Sequence, residues 1–93
     1  MGRALILLCL LGSCTTPKHL VIFSKTEGFR HDSIPDGAAA ITTIGQELGY
    51  EVTHTETSSD VVGLEYDVIV FLSTTGDVLN ETEQHYLQKF VEN

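Results

Sequence analysis

Two short apolar runs limit what this chain can fold into more than any other feature. "HLVIF", His19 to Phe23, and "VIVFL", Val68 to Leu72, are rich in β-branched and aromatic side chains and do not alternate with polar ones. A strand with one wet face alternates, whereas an unbroken apolar run needs cover on both faces. Such strands belong to parallel sheets with helices on either side. The first strand is read from His19 through Lys25, and the strand at the second run from Tyr66 through Thr74.

The rest of the chain supplies elements to match. Between Ser33 and Leu48, the residues Ile34, Ala38, Ile41, Gly45 and Leu48 recur at helical spacing and form one apolar stripe. Pro35 suits a first helical turn, Ser33 with Asp36 reads as a capping box, and Gly49 is a natural stop. "YEVTHTET", Tyr50 to Thr57, alternates and predicts a strand nearer a sheet edge. Ser58 to Glu65 reads as a connector. Asn80 with Glu83 is a second capping pattern, opening a helix through Asn93 with Tyr86, Leu87, Phe90 and Val91 on its buried face. The order β-α-β-β-α predicts an α/β sheet with a right-handed first crossover. Three strands and two helices leave an apolar strand edge open, a hazard for aggregation. The expectation is therefore the front portion of a larger domain.

The N-terminus reads as a separate unit. Arg3 precedes the apolar run "ALILLCLL", which fits the hydrophobic stretch of a signal peptide and is too short to span a bilayer. The run ends in "LGSC", Leu11 to Cys14, which resembles the lipobox of bacterial lipoproteins. That resemblance implies a signal peptide over residues 1–13, with Gly12 and Ser13 as the small residues before the cut. Cys14 is then the lipidation site and residues 14–18 a short tether, leaving residues 19–93 as the folded part. The implied location is the cell envelope, lipid-anchored to a bacterial membrane on its periplasmic or extracellular face. Cys9 would leave with the signal, so no disulfide is expected. With 5 basic and 13 acidic side chains the formal charge is -8, which argues against nucleic acid or an anionic membrane surface as partner.

"KTEGFRHDSIPDG", Lys25 to Gly37, follows the first strand, and "STTGD" ends the last one. In open α/β sheets ligands bind at the carboxyl ends of strands, which is where both stretches fall. "VIFSKTEGFRHDSIPDG" and "YDVIVFLSTTGDVLNETEQ" together resemble the start of the ThuA-like family, named for trehalose utilisation. The similarity runs from Leu20 to Asn93. It implies membership of the class I glutamine amidotransferase-like superfamily and a flavodoxin-like (Rossmann-like) three-layer fold. A glycine-rich strand and a Gly-x-His stretch are implied after the last helix. The sequence reaches Asn93 before either, so the expected fold is the incomplete N-terminal portion of such a domain, with strand order 2-1-3.

With that order, Lys25, Arg30, His31, Thr74, Thr75 and Asp77 line one crevice. His31 is the acid/base candidate, since an imidazole titrates near neutrality. Lys25, Arg30, Thr74, Thr75 and Asp77 are the substrate-binding candidates. Arg30 otherwise reads as a solvated charge beside Glu27 or Asp32, and Asp77 as a turn residue. Gly28 and Gly76 allow tight turns or close approach. His54 and His85 read as surface residues. No HxH, HxxxH or CxxC spacing occurs, so no metal site is expected from these residues alone, and no cofactor is indicated. Neither a GxGxxG stretch after the first strand nor a P-loop is present. No Cys stands at a strand-to-helix turn, so glutaminase activity is not expected. Ser24 or Ser73 as a nucleophile would need a base and an orienting acid, which a sequence does not reveal. The resemblance implies a protein acting on, or binding, a saccharide or keto-sugar derivative, by isomerisation or hydrolysis if it is an enzyme. The alternatives are a non-catalytic carbohydrate-binding or interaction module, or an inactive truncated fragment.

Overall fold

The computed structural model describes residues 17–92. The expected signal peptide, Cys14 and the expected tether up to Thr16 lie outside the described residues. The elements are β1 (Lys18–Phe23), α1 (Ile34–Glu47), β2 (Tyr50–Thr55), α2 (Asp60–Gly63), β3 (Val68–Phe71) and α3 (Glu81–Glu92). The strands form one parallel sheet in the order β2-β1-β3, an α/β flavodoxin-like partial sheet with the expected 2-1-3 order.

β1 is central because its side chains demand it. Val21, Ile22 and Phe23 are fully buried and Leu20 nearly so, so both faces of the strand are covered. Burying side chains of this size contributes roughly 1.5–3 kcal/mol each. α1 covers the face of Leu20 and approaches closely at Gly45, where a Cβ would lie 2.8 Å from Val52 Cγ2. Phe23 meets Phe71 edge-to-face across the β1–β3 pair, with ring centroids 5.4 Å apart. β2 alternates half-buried and exposed positions from Tyr50 to Thr53, as its sequence predicts for an edge strand; the alternation breaks at His54, which is exposed like Thr53.

Several boundaries differ from the sequence reading. β1 ends at Phe23 rather than Lys25, and β3 spans only Val68–Phe71 rather than Tyr66 to Thr74. The connector after β2 contains α2, whose Val61 is fully buried. Ser33 makes no side-chain cap on α1; its carbonyl accepts from Gly37 N instead. The Asn80–Glu83 box does form: Asn80 Oδ1 accepts from Glu83 N at 2.8 Å, and Glu83 Oε1 accepts from Asn80 N at 2.9 Å. Gly49 ends α1 with φ +90°, the left-handed conformation that favours glycine. Leu48 turns outward at the helix end and is 71% exposed, so the apolar stripe stops one turn early. The face of α3 is likewise less buried than its pattern predicts. α3 packs mainly against α2, and Val91 and Tyr86 remain exposed. Among the described residues, no helix is long and apolar enough to cross a membrane.

Candidate functional site

The two motif loops meet at the carboxyl end of the sheet. Beyond β3 the ladder continues through Leu72 N donating to Phe23 O. Ser73 then takes φ +52°, a left-handed turn that costs a non-glycine residue about 1–2 kcal/mol. The chain next comes back beside the first loop. Thr26 and Thr75 form an isolated parallel bridge. Thr75 O accepts from Glu27 N at 2.8 Å and from Gly28 N at 3.3 Å, and Thr75 Oγ1 donates to Phe29 O at 2.7 Å. Gly28 and Gly76 allow this approach. A Cβ on Gly76 would sit 3.0 Å from Gly28 N, and Gly76 also has φ +77°.

Within this rim, Lys25 pairs with Glu27 at 3.1 Å. Arg30 does not pair with Glu27 or Asp32 as its sequence neighbours suggest. It makes a two-pronged contact with Glu56, just past the end of β2, at 2.6 and 3.2 Å. A weaker Arg30 contact reaches Thr26 Oγ1. His31 is exposed, and its ring stands nearly perpendicular to that of Phe29 with centroids 5.0 Å apart. No hydrogen bond to the His31 ring occurs among the described residues. Thr74 is half-buried and Asp77 exposed in the opposing loop.

A second cluster lies beside the rim. The Ser24 side chain is fully buried, yet its Oγ lies 2.6 Å from His54 Nε2 and 3.2 Å from Glu56 Oε2. Ser24 has a single proton, which fixes the direction of these bonds. If it were given to His54, the serine and carboxylate oxygens would face each other without a hydrogen. The arrangement that satisfies every atom has His54 Nε2–H donating to Ser24 Oγ and Ser24 donating to Glu56, which also accepts from Arg30. Arg30's hydrogen bond holds the Glu56 carboxyl below the usual glutamate range. The bond from Ser24 and the charges of Arg30 and His54 act the same way, against the opposing effect of partial burial.

This geometry argues against Ser24 as a nucleophile. The serine is buried, His54 faces it as a donor, and the acid contacts the serine instead of orienting the imidazole. Ser73 has no such cluster among the described residues, and seven residues separate it from the start of α3, so it does not form a sharp strand-to-helix elbow. His54 is exposed as expected of a surface residue, but its Ser24 bond was not legible. That bond depends on the β1–β2 register, which sets Ile22 opposite His54. His85 is exposed on α3. Among the described residues, no group of three His, Cys, Asp or Glu could hold a metal ion.

A hollow of about 610 Å³ lies elsewhere. Tyr66, Asp67, Tyr86, Lys89, Phe90 and Val91 line it at the amino end of β3.

A family model described as ThuA, trehalose utilisation, matches residues 19–93. No curated protein and no solved structure matches the chain.

Proposed function

Since the chain belongs to the ThuA family of trehalose utilisation, we propose that it binds or converts a saccharide or keto-sugar at the rim where the loops after β1 and β3 meet. A role in trehalose utilisation follows from the family. The particular saccharide site is our reading. The observation that carries it is the Thr26–Thr75 bridge, with the hydrogen bonds around it, which joins both motif loops at the end of a parallel sheet where such folds take ligands.

In this reading His31 transfers a proton to or from a sugar hydroxyl or keto oxygen. Arg30, Lys25, Thr74, Thr75 and Asp77 orient hydroxyls. Arg30 comes to that task with its charge balanced by Glu56, and a guanidinium has five N–H donors, so it keeps donors beyond those used here. The protein works at the cell envelope, held to the membrane by lipid on Cys14. Changing Cys14→Ser should move it from the membrane fraction to the soluble one; retention in the membrane would end that assignment.

Turnover against a panel that includes trehalose, glucose and their keto derivatives tests the catalytic part. His31→Ala should abolish turnover and leave the melting temperature unchanged, because the side chain is exposed. Unchanged turnover removes His31 from catalysis. A specific observation favours a second reading, a non-catalytic sugar-binding module: no acid orients His31 among the described residues, whereas catalytic histidines are usually held by a partner. Saccharide binding without turnover in the wild-type protein would select it.

A further inference from the structure

We infer that the exposed ring of Phe29 is a stacking platform for an uncharged sugar ring, on the saccharide reading above. Phe29 lies in the loop after β1 and is 74% exposed. Exposed apolar residues at helix ends need no explanation. Phe29 differs because its backbone is fixed. Thr75 Oγ1 holds its carbonyl, and Thr75 O holds the two amides that precede it. The ring meets His31 in a T-shaped contact, which restricts it, and its remaining surface faces solvent. An aromatic with a fixed backbone at the carboxyl end of a parallel sheet, on a loop that also carries the Thr26 hydroxyl and the Asp32 carboxylate, suits a ligand with an apolar face and polar edges. A pyranose has that shape: its C–H groups lie on one face and its hydroxyls point outward.

The charges around the ring narrow the class further. Recognition of phosphate or carboxylate uses an unpaired Arg or Lys. Here the charge of Arg30 is balanced by both oxygens of Glu56 and that of Lys25 by Glu27, although Arg30 keeps N–H donors for neutral hydroxyls. The same two loops also expose Asp32 and Asp77. Among the described residues of these two loops, an anionic sugar would meet carboxylates and cations that are already paired. The ligand is therefore a neutral sugar rather than a sugar phosphate or sugar acid.

The test is an NMR titration of the purified full chain with glucose, trehalose and a glucose phosphate ester. It compares wild type with Phe29→Ala, Phe29→Leu and Phe29→Trp. All the variants should keep the wild-type melting temperature, because the ring is exposed. Neutral sugar should bind wild type and Phe29→Trp alike, and about tenfold or more weakly to the Ala and Leu variants. The phosphate ester should bind wild type about tenfold more weakly than glucose, with the gap narrowing in Glu56→Gln, which frees Arg30. Wild-type affinity in Phe29→Leu would show that no aromatic face is needed, and wild-type affinity in Phe29→Ala that the ring plays no part. Either result overturns the platform and leaves the saccharide reading standing. Tighter binding of the phosphate ester overturns the selection for neutral ligands. If no neutral sugar binds the wild type, the saccharide reading fails and the platform fails with it.

Discussion

The two ends of this sheet are built in opposite ways. At the carboxyl end, loops after β1 and β3 are joined backbone to backbone, and the charged side chains of the β1 loop are paired, Lys25 with Glu27 in the same loop and Arg30 with Glu56 just past β2. That end holds its polar groups in fixed positions. At the amino end, Asp67 ties β3 to His19 through its amide and its carboxylate. Beside it lies a cleft of about 610 Å³, walled by Tyr66, Tyr86 and Phe90. Concavity and chemistry therefore separate in this molecule. Volume alone would point to the amino end, whereas preorganised polar groups and a rigid exposed aromatic point to the carboxyl end.

The largest expected effect tests whether the carboxyl rim depends on its backbone contact. Gly76→Val adds a side chain at φ +77° and 3.0 Å from Gly28 N. The conformational strain and the clash together should cost about 2–4 kcal/mol. Hydrogen exchange at the Glu27 and Gly28 amides, which donate to Thr75 O, should rise sharply. Exchange at the Asp67 amide, at the other end, should rise only with global stability. Equal loss of protection at both ends would erase the contrast between them.

A smaller effect is expected from Glu56→Gln, and it carries a pH signature. The folded-state pKa of Glu56 is depressed below its ordinary value of 4.5, first by the Arg30 hydrogen bond. A depressed carboxyl contributes stability above its unfolded value and loses it as pH falls through the folded one. The wild-type melting temperature should therefore fall more steeply than that of Glu56→Gln on acidification below about 4.5. Parallel pH profiles would show that the pair contributes nothing, as many exposed pairs do not.

The smallest effect belongs to the amino end. The Tyr66 hydroxyl donates to Val61 O at 2.7 Å, and its ring packs on Phe90. Tyr66→Phe removes only the hydrogen bond and should cost about 0.5–1.5 kcal/mol. Saccharide affinity should not change. A loss of affinity at this position would move the site to the large cleft.

The sequence made the sheet legible because burial leaves a compositional mark. An apolar run without alternation can only be covered on both faces, and β1 is. The alternation of β2 gave its edge position for the same reason. Ends were less legible: β-branched residues favour strand conformation but do not tell where pairing stops, so Ser24 and Lys25 fell outside β1. A single turn such as α2 is too short to show a period. The Ser24–His54–Glu56–Arg30 cluster was invisible because it joins residues brought together only by the strand register. Ser73's left-handed backbone leaves no trace in composition. At the rim, the loops could be placed side by side from strand order and family resemblance, while the partner of Arg30 could not.

One measurement bears directly on which end of the sheet carries function. Backbone amide shifts of the labelled full chain, followed during titration with a neutral sugar, locate the contact without assuming any chemistry. Shifts should concentrate at residues 25–31 and 73–77. Shifts confined to residues 65–67 and 86–91, with the rim silent, would place the sugar at the amino end instead.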